Sequence, residues 1–292
     1  MSWDAIFKII ISEAFEHYRL SSVAIVTEYG VEIIRSRIDI LVEGIKCAET
    51  LPDGSWLKFL CEHGGYLNII EVKAPSVKVD YETIKQVLMY KIALSMKKKI
   101  EFSEVSVFII APKISENLEK KLREKLDDKM RIHGGEGLYE TKNAKALKIY
   151  IIAYDELDPE ILGNETLCLL STKENISKRA AKRIIETFKP DNIIYSLALI
   201  YRPEVAKMAE TEVIPKERLA KAVEVIGIEK LADALGPERL AKAVEVIGIE
   251  KLVLSIGLEK TFRALSEILK QLPPEKRKEL LKILTDTALN EK

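Results

Sequence analysis

NIIEVKAP, residues 68–75, is an apolar strand-like segment that carries two opposite charges. As a β-strand it places Glu71 and Lys73 on one face, and Ile70 and Val72 on the other. A buried charge is costly to desolvate unless it is paired or bound to a metal. The segment therefore predicts either an ion pair or a metal-binding site within a sheet.

Asp39 is a second charged residue in an apolar segment. It lies in RIDILV, residues 37–42, where strand alternation favours a hydrophobic side chain. This segment belongs to VEIIRSRIDILVEG (31–44), which follows another β-rich run, SVAIVTEYG (22–30), and we expect a turn at Tyr29–Gly30 between them. Misplaced charges on two neighbouring strands indicate one shared site.

Composition is typical of a globular protein with a densely charged surface. The 292 residues are 47% hydrophobic and 32% charged, which is enough chain for one sizeable domain and a smaller one. The content of Lys and Glu resembles that of proteins from hot environments. No apolar run approaches the roughly 18 residues of a membrane span, and the N-terminus lacks signal-peptide features, so we expect a cytoplasmic protein.

The cysteines and the net charge exclude two simple functional classes. Cys47, Cys61 and Cys168 show no C-x-x-C spacing, so buried thiols are expected rather than a disulfide framework or a zinc site. The 46 basic and 46 acidic residues balance to zero, so attraction to nucleic acid must come from a local patch.

The helix expected at 173–188 carries such a patch. Its basic residues are Lys178, Arg179, Lys182 and Arg183. They form two like-charge pairs at i,i+4 spacing, which repel unless an anion or carboxylates lie close. Both a DNA-binding track and a solvated helix face fit this pattern.

Periodicity predicts an α/β fold with a mixed central sheet flanked by helices. The expected order is a helix at 4–20, the two strands above, the LNIIEVK strand (67–73), a helix at 80–99 capped by Asp80, a strand at 105–112, a helix at 115–130 and a strand at 147–154. Residues 46–66 look like an insertion with a short strand at WLKFLC (56–61), and LCLLST (167–172) suggests another strand. In the helix at 80–99, the expected buried face is Ile84, Val87, Leu88, Ile92 and Met96.

The C-terminal part contains an internal repeat. ERLAKAVEVIGIEKL occurs at 217–231 and again, letter for letter, at 238–252. Short units that begin with Glu and end with Gly suit helices with a left-handed C-cap, and they predict a small stacked all-α array. We expect three parts: a domain at 1–157, a helical extension at 158–202 and a repeat domain at 203–292 that acts as a surface for a protein partner or a homo-oligomer.

Asp39, Glu71 and Lys73 have the residue types and order of a divalent-metal phosphodiesterase site. Carboxylates on adjacent strands are hard oxygen ligands suited to Mg²⁺, or to Mn²⁺ as a substitute. Lys73 is then expected to orient water or to offset charge on the phosphate. The carbonyl of Val72 is expected to face the metal, and Glu13 to hold a metal-bound water from the first helix.

An acidic residue in a RIDIL strand followed by an E-x-K strand resembles the PD-(D/E)XK, or restriction-endonuclease-like, nuclease superfamily. Gln86 and Tyr90 match the Q-x-x-x-Y motif of RecB-like members, and the RIDIL-to-EVK spacing is similar to that of archaeal Holliday-junction resolvases. The resemblance covers about residues 4–155. It implies a restriction-endonuclease-like core, a nuclease acting on DNA, with RNA left open, and a role for Gln86 and Tyr90 near the site.

The chain departs from the family pattern at two places. Ile38 occupies the position of the motif's proline, and Glu13 and His17 compete for the family's site residue on the first helix, with Glu13 preferred. Simple alternatives remain: Glu71 with Lys73, and Asp39 with Arg37, as surface ion pairs, and Tyr90 as a core residue. His63 and His133 are expected to be loop residues. A catalytically inactive nuclease-like module that binds nucleic acid or assembles with a partner is the second functional hypothesis.

Overall fold

The computed structural model describes residues 4–31, 36–46, 51–126, 130–132, 135–141, 148–189, 192–202, 205, 274–275 and 278. The chain divides into two compact units, Ser2–Ile184 and Ile185–Lys292, with Met1 grouped with the second. The predicted repeat domain lies almost wholly outside the described residues. Among the described helices, none has both the length and the apolar character needed to cross a bilayer.

Helices and strands alternate along the first unit. The helices are α1 Asp4–His17, α2 Trp56–His63, α3 Tyr81–Lys98, α4 Leu118–Leu126, α5 Asn164–Cys168 and α6 Glu174–Thr187, the last of which runs across the unit boundary. The strands are β1 Ser21–Val31, β2 Ser36–Lys46, β3 Leu67–Val72, β4 Val105–Ala111, β5 Met130–Ile132, β6 Leu138–Thr141 and β7 Tyr150–Ala153. In the second unit, α7 Ile193–Tyr201 is capped by Asn192, whose side chain accepts a hydrogen bond from the Ile194 N–H at 2.7 Å.

The described strands form one mixed sheet in the order β1-β2-β3-β4-β7-β6-β5. The central pairs β3/β4 and β4/β7 are parallel, and the outer pairs are antiparallel. β3 and β4 are buried along their whole length, as expected for strands covered on both faces. The predicted α/β fold with a mixed central sheet and flanking helices is confirmed.

Helices cover both faces of the sheet. α3 packs against β3 and β4 in a core that includes Ile69, Val87 and Ile109. On the other face, Phe59 of α2 contacts Phe108 and Tyr150, with ring centroids 6.3 and 5.6 Å apart. Side chains alternate along a strand, so Glu71, two residues after Ile69, points to the face that α3 covers.

Several predicted elements are wrong in type. WLKFLC belongs to helix α2, whose buried residues Trp56, Leu57, Phe59 and Leu60 follow helical spacing. LCLLST begins in the short helix α5 rather than in a strand, because a continuous apolar run does not distinguish a buried helix from a strand. Tyr29–Gly30 is not a turn: β1 continues to Val31, and the connection at 32–35 lies outside the described residues.

Two short strands were missed by the sequence analysis, and the expected buried face of α3 is wrong in part. β5 and β6, with three and four residues, are too short for a periodic signal and were not predicted. On α3, Ile84 and Val87 are buried as expected, but Ile92 and Met96 are exposed. The predicted N-cap of this helix is confirmed, since Asp80 accepts a hydrogen bond from the Thr83 N–H at 2.9 Å.

A buried polar cluster joins the start of α2 to the start of α5. The Trp56 indole N–H donates to the Gly163 carbonyl at 2.7 Å, and the Trp56 backbone N–H donates to Asn164 Oδ1 at 2.8 Å. Asn164 Nδ2 donates to the Gly54 carbonyl at 3.0 Å. Gly163 has φ +97°, and a Cβ there would lie 2.9 Å from side-chain atoms of Ser55 and Leu57. These bonds join segments more than a hundred residues apart, so they fix α5 against α2.

We expect Trp56→Phe to destabilise the first unit by roughly 2–4 kcal/mol. The Gly163 carbonyl would lose the indole donor in the interior, and the smaller ring would leave a void. Urea unfolding followed by circular dichroism measures the change. The control is Lys58→Ala on the same helix, which removes an ion pair to the exposed Asp53 and should leave stability close to that of the wild type, because water screens a surface ion pair. Equal stability of Trp56→Phe and the wild type would contradict this role.

Candidate active site

Glu71 is a buried carboxylate at the end of β3. Its residue is 3% exposed, and Lys73 Nζ donates a hydrogen bond to Oε1 at 2.7 Å. The second oxygen, Oε2, is buried and has no hydrogen-bond partner among the described residues. An unsatisfied buried carboxylate oxygen is costly, and a cation at this oxygen would remove that cost.

Asp39 lies beside Glu71 because of the register between β2 and β3. The antiparallel ladder pairs Ile40 with Ile70, and its continuation by one residue sets Asp39 opposite Glu71. Directly opposed residues in an antiparallel pair share a face, with Cβ atoms about 5 Å apart. The two carboxylates predicted from separate strands are therefore on adjacent positions of one sheet face.

Asp39 also has a structural hydrogen bond. Its Oδ2 accepts from the backbone N–H of Val72 at 2.8 Å, just beyond the last backbone pair of the β2–β3 ladder. The next backbone N–H, that of Lys73, points the other way and donates to the Ile110 carbonyl of β4 at 2.8 Å. Asp39 thus takes the place of a strand carbonyl for Val72. The role of the Val72 carbonyl as a metal ligand stays a prediction.

Asp80 is an acidic neighbour that the sequence indicated only as a helix cap. The Thr83 N–H lowers the pKa of the Asp80 carboxyl, and the positive charges of Lys121 and Lys73 act in the same direction. Lys73 therefore feels the negative charge of Asp80 as well as that of Glu71. The signal available in the sequence was the position of Asp80 as an N-cap, seven residues after Lys73 of the E-x-K segment.

Gln86 and Tyr90 lie one turn apart on α3, as their spacing predicted, and the Gln86 side-chain amide donates to the Tyr90 hydroxyl. Tyr90 is 3% exposed and belongs to the core between α3 and the sheet, together with Ile69. The Tyr90 ring therefore packs in the core, while its hydroxyl accepts a hydrogen bond from Gln86. Both residues lie on the helix that covers the Glu71 face, and their contact with substrate stays a prediction.

The first helix, α1, covers a different face of the sheet from α3. α1 packs through Phe7 against Tyr154, whose ring centroid is 6.1 Å away, on the face opposite α3. Glu13 and His17 are half-buried on this helix, and burial lowers the pKa of the His17 imidazole. Within the described residues, no three or more His, Cys, Asp or Glu side chains are grouped to hold a metal ion. The role of Glu13 at the site stays a prediction.

Of the two other histidines, one is described. His63 is the last residue of α2 rather than a loop residue, and its ring stacks on Tyr150 with centroids 4.6 Å apart. His133 lies outside the described residues. Aromatic packing explains the position of His63 without a ligand role.

The basic residues of α6 do not form one uniform patch. Arg179 makes ion pairs with Asp158 at 3.0 Å and Glu160 at 3.1 Å. Burial raises the pKa of the Glu165 carboxyl, and the nearby charge of Arg183 acts in the opposite direction. Carboxylates thus lie close to the Arg179 and Arg183 pair, as their spacing required, and the side chains of Lys178, Arg179 and Lys182 are exposed.

A second buried carboxylate shows what is particular to Glu71. Glu140 of β6 is 1% exposed, and its Oε2 lies 3.0 Å from Lys148 Nζ. A buried acid with a lysine partner is therefore not by itself a site in this chain. Glu71 differs because an acidic residue, Asp39, is set opposite it on the neighbouring strand.

Comparison of the chain with known proteins gives no match to a family model, to a curated protein or to a solved structure. The likeness to PD-(D/E)XK nucleases therefore rests on Asp39, the E-x-K segment, Gln86 and Tyr90.

We expect Lys73→Met to destabilise the first unit by roughly 3–5 kcal/mol, because it leaves the Glu71 charge buried without its partner. The double variant Glu71→Gln with Lys73→Met should recover most of that loss, since it removes both charges. Urea unfolding of the wild type, both single variants and the double variant gives the coupling energy. Additive effects of the two substitutions would contradict a direct interaction.

Proposed function

We propose that this protein is a Mg²⁺-dependent nuclease that hydrolyses phosphodiester bonds of DNA. The observation that carries the proposal is the buried Glu71 carboxylate, whose Oε2 has no hydrogen-bond partner among the described residues, set opposite Asp39. Structural ion pairs do not require a second carboxylate on the facing strand. A cation shared by the two groups would account for both acidic residues.

The residues present fit such a cation. Mg²⁺ prefers oxygen ligands, keeps several waters, and is usually bound by only one or two carboxylates together with substrate phosphate. Asp39 and Glu71 would hold it, so a third acidic side chain is not needed. When bound, Mg²⁺ activates water and offsets negative charge on the phosphate.

Lys73 has two functions in this proposal. In the absence of a cation, its ammonium neutralises Glu71 at 2.7 Å. In the presence of DNA, the same ammonium would orient water or stabilise the charge that develops on the phosphate. Asp80 provides a second negative charge for Lys73 when Glu71 is bound to a cation.

DNA contacts are proposed for the exposed surfaces near these groups. Gln86 on α3 offers an amide next to the Glu71 face, as the family resemblance implies. On α6, the basic residues proposed for phosphate contact are Lys178, Arg179, Lys182 and Arg183, and Arg179 would exchange Asp158 and Glu160 for the phosphate.

A second candidate function is a nuclease-like module that binds nucleic acid or a partner protein without cleavage. It is favoured by one observation: Asp39 already has a structural use, as acceptor of the Val72 N–H. Such a protein would bind DNA equally well with and without Mg²⁺, and Glu71→Gln would leave binding unchanged. The predicted repeats at 203–292 would then recruit the partner.

Cleavage of labelled DNA by the full chain tests the proposal. Single-stranded, duplex and branched substrates are incubated with Mg²⁺ and the wild type, Asp39→Asn or Glu71→Gln, with RNA as a parallel substrate. Asp39→Asn keeps an acceptor for the Val72 N–H but removes the negative charge. We expect each variant to lose at least about a hundredfold in rate, because a ligand charge is removed.

The matched control is Glu140→Gln, which neutralises the other buried acid of the sheet and should cleave like the wild type. Calorimetry with Mn²⁺ gives a readout independent of cleavage: the wild type and Glu140→Gln bind, and Glu71→Gln does not. Equal cleavage by the wild type and Glu71→Gln would overturn the proposal. Absence of cleavage on every substrate, together with absence of Mn²⁺ binding, would overturn it as well.

A further inference from the structure

Helix α3 presents an apolar stripe on its outer side. Met89, Ile92 and Met96 are 52, 47 and 64% exposed, and their spacing of three and four residues places them on one face. The opposite side of the helix, with Val87 and Tyr90, is buried against the sheet. The other large exposed apolar residues of the described chain, Val26, Tyr66 and Val77, do not form such a helical stripe. Isolated apolar residues on a surface are common, but an aligned stripe indicates a contact.

Continuing the stripe towards the N-terminus gives a heptad seam. Glu82 and Lys85 precede Met89 at the same alternating spacing of three and four. A seam with this spacing is the surface through which two helices pack as a coiled coil. In this seam the centre is apolar and the ends are charged.

The charges at the two ends of α3 are opposite. Glu82 lies at its N-terminal end, and Lys99, which continues the seam three residues after Met96, lies at its C-terminal end, whereas Lys97 and Lys98 lie over the Tyr29 ring. Two copies of α3 packed in parallel would bring lysines against lysines. An antiparallel arrangement brings the acidic end of each copy to the basic end of the other, and places Met89 near Ile92 of its partner.

We propose that this face of α3 is a homodimer interface, in which two copies of the chain pack antiparallel across a two-fold axis near Met89 and Ile92. A two-fold axis uses the same patch on both copies, which a single self-complementary stripe satisfies. One pair of helices buries less than the roughly 1,200–2,000 Å² of a standard interface, so the dimer is reversible with a Kd of about micromolar. This interface is separate from the predicted repeats and does not depend on the proposed nuclease activity.

Sedimentation of the full chain from about 1 to about 100 μM tests the proposal. The wild type should shift from monomer to dimer, and Ile92→Glu should raise the Kd at least about a hundredfold, because a charge is brought into the apolar centre. The control is Val26→Glu, which places the same charge on an exposed apolar residue of the edge strand β1. Circular dichroism verifies the fold of both variants.

Two results would overturn the interface: a monomeric wild type throughout this range, or a dimer that Val26→Glu dissociates and Ile92→Glu does not. The second result would assign association to the β1 edge. Peroxide oxidation of the wild type gives a readout without substitution. Met89 and Met96 should oxidise more slowly at high than at low protein concentration, and equal rates would contradict their burial between copies.

Charge reversal tests the orientation of the helices. Glu82→Lys should weaken the dimer, since Glu82 faces Lys99 of the partner copy. Adding Lys99→Glu to the same chain should restore association, because Lys99 continues the seam three residues after Met96 and opposite charges again meet at both ends. Failure of this rescue, in a chain that Ile92→Glu still dissociates, would overturn the antiparallel arrangement.

Discussion

The burial of one carboxylate is the constraint around which the site is built. Glu71 lies in the sheet interior with Lys73 as its partner, 2.7 Å from one oxygen, and without a described hydrogen-bond partner for the other. Desolvation of such a pair usually cancels its attraction, and hydrophobic residues of similar size stabilise a fold as well or better. Stability alone therefore does not explain this pair, and Asp39 opposite Glu71 is what distinguishes it from the buried pair of Glu140 with Lys148.

Strand pairing in the sheet places Glu71 next to other charged residues. Antiparallel pairing of β2 with β3 sets Asp39 opposite Glu71, and the end of their ladder leaves the Val72 N–H to the Asp39 side chain. The chain then returns through the cap residue Asp80 into α3, which covers the same face. One strand register thus brings together Asp39, Glu71 and Lys73, and Asp80 at the start of α3 acts on Lys73. A shift of one residue in that register would turn the side chains to the other face.

Part of this arrangement could be predicted from local sequence. Charges at apolar strand positions identified Asp39 and Glu71, and capping chemistry identified the start of α3 at Asp80. The short helix α5 could not be predicted, because its position depends on hydrogen bonds between Trp56 and residues 163–166, which are distant in sequence. The sequence pattern of α3 did not distinguish its buried face from its exposed stripe, because both faces of the helix carry apolar residues. Glu13 was selected from a family position, because no local pattern indicated which side of the sheet α1 would cover, and its role at the site stays a prediction.

The central claim is that Asp39 and Glu71 share one divalent cation. Crystals of the full chain soaked in Mn²⁺, with diffraction measured at a wavelength where manganese scatters anomalously, test it without any assumption about substrate. We expect a single strong anomalous peak between the two carboxylates, within about 2.2 Å of an oxygen of each, with Lys73 moved away from Glu71. A map with no peak there, and with the Lys73–Glu71 pair unchanged, would contradict it.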